Sequence, residues 1–281
     1  MEEVQGALDP RDELLSSIAG KVVTAVIVAS GDGILSGAAA AAAKAEEIGL
    51  GLERILDEGS EIAEGDEVAR FTGTPIQVAK AEEDLIGLMA KTSGIATAAR
   101  DFVKAAGKKP RVVCCAWKKM PPGDREAVRQ AVASGGMDHR LSERPFLYLD
   151  ENIIEMFGGI RESIAAVSGP AAERIFAVQL RGKRASVSKE AIEAAECGAG
   201  IVCVDTGVPL DFMEAAFELE RAGLRKKVKI AFGGDLGLKD LRNIKKDKFG
   251  IEIVDVGKKV VDAPLLDMRM EVIAVADGRD G

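Results

Sequence analysis

Residues 174–205 read RIFAVQLRGKRASVSKEAIEAAECGAGIVCVD and contain the repeating unit that decides the fold. The apolar run Arg174–Leu180 predicts a strand, and the apolar run Gly200–Asp205 predicts another. Between them, Lys189–Cys197 has the spacing of an amphipathic helix. Strand, helix and strand with short connections indicate a parallel pair, because parallel neighbours require a crossover between them.

The same alternation runs through the rest of the second half of the chain. Further strands are predicted at Arg111–Ala116, Phe146–Leu149, Val228–Phe232 and Ile251–Val256. Further helices are predicted at Asp124–Ala133, Asn152–Ala166, Asp211–Ala222 and Leu238–Lys245. Repeated βα units of this kind predict a parallel sheet, either open or closed into a barrel that lacks two of the eight strands of a complete one.

The first hundred residues have a different pattern. A β-branched apolar run at Lys21–Val28 predicts a strand, and the alanine-rich Ser36–Ile48 predicts a helix. A turn followed by a strand is predicted at Ile62–Phe71. One long helix is then predicted from Thr74 to Ala106, and Ser93-Gly94 leaves open a break within it.

Composition excludes several classes of partner. The net charge of -8 argues against nucleic acid, whose phosphates attract basic surfaces. No apolar run has the length of a membrane span, and the acidic segment Met1–Pro10 is unlike a signal peptide. The four cysteines have no CxxC spacing, so we expect buried free thiols and a cytoplasmic protein.

Charged side chains and glycines follow the predicted strands, at the edge where parallel folds place their chemistry. Trp117-Lys118 follows the first strand, and the next connection contains His139, the single histidine of the chain, beside Arg140. The strands also end at Asp150, near Gln179 and at Asp205. The stretch around His139 can also be an ordinary surface loop.

Glycines end the last two predicted strands, at Gly233-Gly234 and at Gly257. Backbone N–H groups at such ends bind phosphate, and the last units of a barrel are a common place for it. The alternative is that these glycines only form tight turns. Asp205 is a candidate oxygen ligand for Mg²⁺, and the alternative is a helix cap before Val208-Pro209. On the first interpretation, the pattern predicts a phosphorylated anionic ligand with a metal.

Several short motifs follow the order and spacing of a known family. In the first half they are Gly33-Ile34-Leu35-Ser36-Gly37, Glu58-Gly59 with Glu64-Gly65-Asp66, and Ser93-Gly94-Ile95-Ala96-Thr97. In the second half they are Gly135-Gly136 with His139-Arg140, Gly198-Ala199 with Val204-Asp205, Gly233-Gly234, and Val256-Gly257 with Leu266-Asp267. From about Asp9 to Glu271, the chain resembles the quinolinate phosphoribosyltransferases, or carboxylating nicotinate-nucleotide pyrophosphorylases.

The resemblance implies an N-terminal α/β sandwich domain, residues 1–107, and an incomplete six-stranded parallel α/β barrel, residues 108–264, with the phosphate site. The end of the chain, from about residue 265 to 281, is expected to pack back onto the first domain. A homodimer or a dimer-based higher oligomer is implied, in which one N-terminal domain covers the other subunit's barrel. The family reaction joins quinolinate to phosphoribosyl pyrophosphate with Mg²⁺ and releases carbon dioxide and pyrophosphate, as part of NAD biosynthesis.

The departures from the family pattern concern the acceptor pocket. The arginine that reaches the neighbouring subunit's substrate is Glu83 here, and the arginine after the first barrel strand is Trp117. A family lysine falls on Asp150, or on Leu149 if one gap is allowed, and the metal-side glutamate falls near Gln179. A contact between two unit charges near a surface contributes about 4 kcal/mol, so reversals at Glu83 and Asp150 would disfavour the dicarboxylate quinolinate. Each of these residues has a simpler alternative: Trp117 as a packed wall, Glu83 and Asp150 as surface charges.

The sequence therefore predicts a phosphoribosyltransferase that acts on a nitrogen heterocycle other than quinolinate. Lys118, His139 and Arg140 would orient the acceptor and offset leaving-group charge, Gly233, Gly234 and Gly257 would bind phosphate, and Asp205 would hold Mg²⁺. Trp117, Asp150, Gln179 and Glu83 from the partner subunit would line the acceptor pocket. The alternatives are quinolinate itself with a compensated site, a non-catalytic protein that binds a nucleotide or phosphometabolite, or a role like that of the family's relatives associated with molybdenum transport.

Overall fold

The computed structural model describes residues 9–169, 173–244 and 250–278. The strands are β1 (Lys21–Ala29), β2 (Gly33–Ile34), β3 (Gly51–Ile55), β4 (Glu61–Ile62), β5 (Glu67–Gly73), β6 (Arg111–Val113), β7 (Phe146–Leu149), β8 (Ile175–Leu180), β9 (Ile201–Val204), β10 (Lys229–Phe232), β11 (Ile253–Asp255) and β12 (Met268–Asp277). The α-helices are α1 (Pro10–Leu14), α2 (Ala38–Ile48), α3 (Pro75–Ala106), α4 (Arg125–Ser134), α5 (Glu151–Phe157), α6 (Ile160–Ser168), α7 (Val187–Glu196), α8 (Pro209–Arg221), α9 (Leu238–Ile244) and α10 (Lys258–Val261). A 3-10 helix, Ala116–Lys119, follows β6 closely.

The chain divides into two compact units. One contains the residues up to Thr97, the segment Glu126–Gly135 and the chain from Ala263 onward; the other contains Ala98–Arg125 and Gly136–Asp262. The division therefore falls inside α3 and assigns α4 to the first unit, whereas the sequence-based boundary lies between residues 107 and 108. None of the helices in the described part of the chain is long and apolar enough to cross a bilayer.

The first unit is built on an antiparallel sheet in the order β12-β1-β5-β3. Alanines on one face of α2 and apolar residues three or four positions apart on α3 pack with this sheet into one core: Ala38, Ala41, Ala45, Val78, Ala81, Leu85 and Met89. β1 begins at Lys21 as predicted, and β12 pairs with it as an edge strand. The short strands β2, β3 and β4 were not predicted, because each is short and shows little alternation.

The helix α3 runs unbroken through Ser93-Gly94, so the break that the sequence left open does not occur. A Cβ atom at Gly94 would lie 1.9 Å from the backbone oxygen of Pro264, which no side chain can tolerate. Lys91 Nζ also donates to Ala263 O at 2.5 Å, and Leu266 N donates to Ala90 O at 2.9 Å. Gly94 thus allows the segment from Ala263 to Leu266 to approach α3 closely, and it does not end the helix.

The second unit contains the parallel sheet, in the order β6-β11-β10-β9-β8-β7. The first strand of the unit pairs with the last, so the sheet curls into a barrel that is open between β6 and β7. At that opening the backbone of Asp138 forms an isolated parallel bridge with Val113. The structure confirms the six-stranded incomplete barrel and the α/β class of the first unit.

Side chains at alternate positions of the six strands fill the barrel. Its buried core contains Val113, Leu141, Ala177, Ile201, Cys203, Ala231 and Ile253, with Cys115, Phe146, Tyr148 and Ile175 packed against it. Because side chains alternate between the two faces of a strand, the next inward positions are Gln179, Asp205, Gly233 and Asp255. The carboxyl end of the barrel is therefore lined by polar groups and one glycine.

One helix prediction in this unit needs correction. The predicted helix Asn152–Ala166 is two helices, α5 and α6, because Gly158 adopts a positive φ of 88° and Gly159 also leaves the helical conformation. The predicted helix Leu238–Lys245 is α9, which is described up to Ile244; Lys245 lies outside the described residues.

Candidate functional site

Two carboxylates flank a glycine at the carboxyl end of the barrel. Asp205 follows β9, Gly233 follows β10 and Asp255 ends β11, and these three strands are neighbours. A Cβ atom at Gly233 would lie 3.3 Å from Asp205 Oδ1 and 3.5 Å from the Cβ of Asp255. The glycine therefore leaves space between the two acids where a larger side chain would fill the mouth.

Asp205 already has two donors within the chain. Its Oδ2 accepts hydrogen bonds from Gln179 Nε2 at 2.6 Å and from Arg181 Nη2 at 2.8 Å. The other end of the Gln179 amide, Oε1, accepts the backbone N–H of Glu151 at 3.1 Å. Gln179 therefore links the end of β7 to the end of β9, and the predicted residues Gln179 and Asp205 are in direct contact.

Two cations follow β8 and pair with two acids at this edge. Arg181 Nε lies 3.6 Å from Glu151 Oε2, and Lys183 Nζ lies 2.9 Å from the same oxygen. The hydrogen bond from Lys183 lowers the pKa of the Glu151 carboxyl below its usual value. Arg181 and Lys183 were not predicted as site residues, although their position directly after a predicted strand was a usable signal.

Asp255 is half-buried, and its Oδ1 accepts backbone N–H groups from Cys115 and Gly257, each at 3.2 Å. Burial raises the pKa of this carboxyl and the nearby Asp205 adds to the rise, while the two N–H donors oppose it. Asp255 was not predicted as a site residue.

Three glycines that follow β9 and β10, namely Gly207, Gly233 and Gly234, pack closely together in a tight corner. Gly207 N donates to Gly233 O at 2.9 Å, and a Cβ on Gly207 would meet Gly234 O at 2.4 Å. Gly234 has a φ of 113°, which side-chain-bearing residues rarely adopt. The N–H of Gly233 donates to Val204 O at 2.9 Å and that of Gly257 to Asp255, so of the three predicted phosphate-binding amides these two already have acceptors within the chain.

The loop with His139 and Arg140 is held through its backbone. Trp117 Nε1 donates to His139 O at 2.9 Å. Arg111 Nη1 donates to the Asp138 carboxylate at 2.6 Å and to Arg140 O at 3.3 Å, and Arg111 Nη2 donates to Leu141 O. Side chains from β6 and from the 3-10 helix therefore bind three consecutive carbonyl groups of this loop.

Lys118 and Arg140, two cations predicted at the site, pack on aromatic rings along the same face of β7. Lys118 Nζ lies 5.0 Å from the centroid of the Tyr148 ring, and the Arg140 guanidinium lies 5.7 Å from that of Phe146. Phe146 and Tyr148 are two residues apart on one strand, so both rings face the barrel interior. Burial raises the pKa of Tyr148, and Cys203, Asp205 and Asp255 add to the rise, which places Tyr148 near the carboxylates as well.

Two further predicted pocket residues have partners of their own. Asp150 caps α5, where its Oδ1 accepts the backbone N–H groups of Asn152 at 3.1 Å and Ile153 at 2.9 Å. Glu83 lies in the first unit, on α3, and its Oε2 is 3.1 Å from Arg11 Nη1. Neither acid is an unpaired charge.

The four cysteines are free thiols. Cys114 and Cys203 are buried, and Cys115 and Cys197 are partly buried. Burial raises the pKa of Cys114 to about 12 and also raises those of Cys115 and Cys203. These thiols are poor nucleophiles and poor metal ligands at neutral pH, because both roles require the thiolate.

The donor set at Asp205 does not fit the expected Mg²⁺. A hard cation requires several oxygen ligands, but here a carboxylate oxygen faces an amide NH₂ and a guanidinium. Among residues 9–169, 173–244 and 250–278, no three His, Cys, Asp or Glu side chains are grouped to hold a metal ion. Magnesium at Asp205 stays a prediction that these residues disfavour.

Comparison with known proteins decides the family. The pattern of the quinolinate phosphoribosyl transferase N-terminal domain matches residues 12–93, and that of the C-terminal domain matches residues 95–271. The chain belongs to the quinolinate phosphoribosyl transferase family. The sequence-based resemblance is confirmed.

Relatives of this family match the chain over almost its whole length. A probable carboxylating nicotinate-nucleotide pyrophosphorylase of Archaeoglobus fulgidus is 31% identical, over 92% of this chain and 98% of that protein. A protein of the same description from Methanothermobacter thermautotrophicus is 29% identical, over 90% and 89%. The crystal structure of nicotinate-nucleotide pyrophosphorylase from Pyrococcus furiosus has a TM-score of 0.82 at 22% identity and covers 95% of this chain and 73% of that one, which shows a shared fold.

Proposed function

We propose that the protein transfers phosphoribose from phosphoribosyl pyrophosphate to a nitrogen heterocycle other than quinolinate. The observation that supports this most strongly is the position of Lys118 over Tyr148, near the barrel end that holds Asp205 and Gly233. A cation and a glycine corner at one end of a barrel suit a ligand with several phosphates. Membership of the family makes phosphoribosyl transfer the corresponding reaction.

The chain's own residues would act by position and charge. Lys118 and Arg140 would offset the charge of the departing pyrophosphate, and the Gly233-Gly234 corner would bind phosphate through Gly234. The bond from C1′ of the ribose to a pyrophosphate oxygen breaks with its electron pair, and a ring nitrogen forms the new bond to C1′. Fixed groups that favour the positive charge at C1′ lower the barrier without covalent catalysis. His139 would orient the acceptor.

The acceptor end supports a base other than quinolinate. Trp117 stands where the family resemblance expects an arginine, and its indole N–H is used by His139 O. A guanidinium binds a carboxylate through two parallel hydrogen bonds, which an indole cannot replace. The flat face of Trp117 suits stacking on a heterocycle with fewer carboxylates.

Quinolinate itself is the second candidate, and a specific observation favours it. Arg11 neutralises Glu83, and two backbone N–H groups neutralise Asp150 in part, so the two charge reversals expected from the sequence are weaker than a count of charges indicates. The curated relatives described as carboxylating pyrophosphorylases point the same way.

One assay tests the proposal and separates the candidates. The protein is incubated with phosphoribosyl pyrophosphate and a panel of nitrogen heterocycles that includes quinolinate, once with Mg²⁺ and once with EDTA. Mass spectrometry of the nucleotide and measurement of pyrophosphate give the turnover. We expect a nucleotide from a heterocycle with fewer carboxylates, in equal amount to pyrophosphate. Carbon dioxide release from quinolinate alone would favour the second candidate, and binding without any product would favour a non-catalytic protein.

We also propose a homodimer in which Glu83 of a second copy borders the acceptor pocket, as the family resemblance implies. Glu83 has an exposed side chain (74%) in the present chain, which leaves it accessible to a second copy. Light scattering coupled to gel filtration measures the mass directly. A particle of twice 29.6 kDa or a multiple of that supports the dimer, and a monomer at micromolar concentration contradicts it.

A further inference from the structure

The single carboxylate oxygen Asp205 Oδ2 receives two side-chain donors from the neighbouring strand end. One is the amide of Gln179 at 2.6 Å and the other is the guanidinium of Arg181 at 2.8 Å. Gln179 lies in β8 and Arg181 follows the end of that strand, and both side chains reach the same oxygen. A permanent cation is therefore bound to the carboxylate that the sequence analysis assigned to Mg²⁺.

The orientation of the Gln179 amide is fixed from both ends. Its oxygen accepts the backbone N–H of Glu151, and its NH₂ group faces a carboxylate that can only accept. A flipped amide would place oxygen against oxygen and NH₂ against N–H. The glutamine thus presents donors where a metal ligand would present an oxygen.

Two acids and two cations are paired at this point. Glu151 and Asp205 supply two negative charges, and Arg181 and Lys183 supply two positive charges within 3.6 Å of them. The family resemblance places a metal-side glutamate near position 179. The side chain that faces Asp205 here is Gln179, which presents an amide NH₂ group and no carboxylate. Asp255 also lies beside Asp205, but its Oδ1 already accepts two backbone N–H groups.

We infer that Arg181 replaces the divalent cation in this protein and binds the pyrophosphate end of the ligand directly. The inference rests on the proposed function and deepens it. A guanidinium has five N–H donors, of which the bond to Asp205 Oδ2 uses one, and the Arg181 side chain is 44% exposed at the barrel mouth. Arginine binds phosphate oxygens through parallel hydrogen bonds, and its charge does not depend on pH in the physiological range.

Calorimetry with inorganic pyrophosphate tests the inference on the whole protein. Parent protein is titrated in EDTA and again with Mg²⁺. We expect binding in EDTA, and no more than about a twofold gain in affinity with Mg²⁺, since one cation already occupies the position. Binding that requires Mg²⁺ overturns the inference and leaves the proposed function in place. The absence of binding in both buffers overturns the inference and also removes the anion site on which the proposed function depends.

Arg181→Gln and Arg184→Gln form a matched pair for the same titration. Both arginines belong to the loop after β8 and both pair with an acid, Arg184 with Glu155 at 3.0 Å. In EDTA, Arg181→Gln should weaken pyrophosphate binding about tenfold or more, and Arg184→Gln about twofold or less. Thermal unfolding of both variants shows whether they remain folded. Equal losses in the two variants would contradict a specific role for Arg181.

A double variant tests the replacement from the other direction. Gln179→Glu with Arg181→Ala provides two carboxylates without the guanidinium, and Mn²⁺ binding is followed by electron paramagnetic resonance in the absence of other ligands. We expect the double variant to bind Mn²⁺ at least tenfold more tightly than the parent, because charge and ligand count now suit a hard cation. Equal Mn²⁺ affinity in the two proteins would overturn the inference.

Discussion

The indole nitrogen of Trp117 donates a hydrogen bond to the backbone oxygen of His139 at 2.9 Å. This contact joins the 3-10 helix after β6 to the loop that carries the predicted catalytic pair. It gives the substitution of the family's arginine a structural role, because the new side chain positions the backbone next to Arg140. Trp117 therefore positions the loop through this hydrogen bond, whether or not its ring also contacts the ligand.

Trp117→Phe tests this role, since phenylalanine keeps an aromatic face and has no N–H. A lost hydrogen bond to a partly buried carbonyl should lower the free energy of unfolding by about 1 kcal/mol. It should also weaken ligand binding several-fold through the loosened loop. Urea denaturation and calorimetry with phosphoribosyl pyrophosphate measure the two effects. Unchanged stability and affinity would show that the indole N–H has no such role.

Arg111→Lys tests the second support of the same loop. Lysine keeps the charge but has no planar fork to bind Asp138 and two carbonyl groups together, so we expect a loss of about 1–3 kcal/mol in the free energy of unfolding. Arg221→Lys is the control, because Arg221 is exposed and pairs with Glu218 on α8. Its loss should stay below about 0.5 kcal/mol. Similar losses in both variants would contradict the assigned role of Arg111.

Gly94→Ala should be strongly destabilising, although alanine is the better helix former. The new Cβ atom would collide with Pro264 O, which belongs to the backbone and cannot move aside cheaply. We expect a loss of about 2 kcal/mol or more in thermal or urea unfolding. Gly87→Ala lies on the same helix with no atom within 4 Å of the new Cβ, and it should gain about 0.5–1 kcal/mol. A gain in both variants would mean that the returning segment does not approach Gly94 closely.

The buried thiols should be nearly unreactive in the native state. Because burial raises the pKa of Cys114 to about 12, its thiolate is scarce at pH 8 and becomes common only as the pH approaches that value. We expect slow labelling of Cys114, Cys115 and Cys203 by a maleimide at pH 8, and rapid labelling of all four cysteines in denaturant. Mass spectrometry locates the labels. Rapid native labelling of Cys203 would contradict its buried position.

Much of the fold could be predicted from the sequence because the barrel strands are short apolar runs between helices. β7 has the predicted bounds, β8 differs by one residue at its start, and β9 differs by one residue at each end. The failures arise where tertiary contacts override local preference. Cys115, predicted within a strand, instead donates its N–H to Asp255 and leads into a 3-10 helix. Gly94 looked like a break but accommodates Pro264.

The site could be predicted only in part. Strand ends indicated Asp205, Gln179 and Lys118, because chemistry in parallel folds lies at that edge. The partners of these groups depend on which side chains meet across strands, which a single sequence does not show. Arg181 on Asp205 and the cap formed by Asp150 therefore appeared only with the structure.

We propose that Lys118 belongs to an anion-binding site at the carboxyl end of the barrel. The affinity for phosphoribosyl pyrophosphate is compared by calorimetry between Lys118→Gln and Lys119→Gln, because the two lysines are neighbours on the same 3-10 helix. We predict a loss of about tenfold or more for Lys118→Gln and of about twofold or less for Lys119→Gln. Equal affinities in the two variants would contradict the claim.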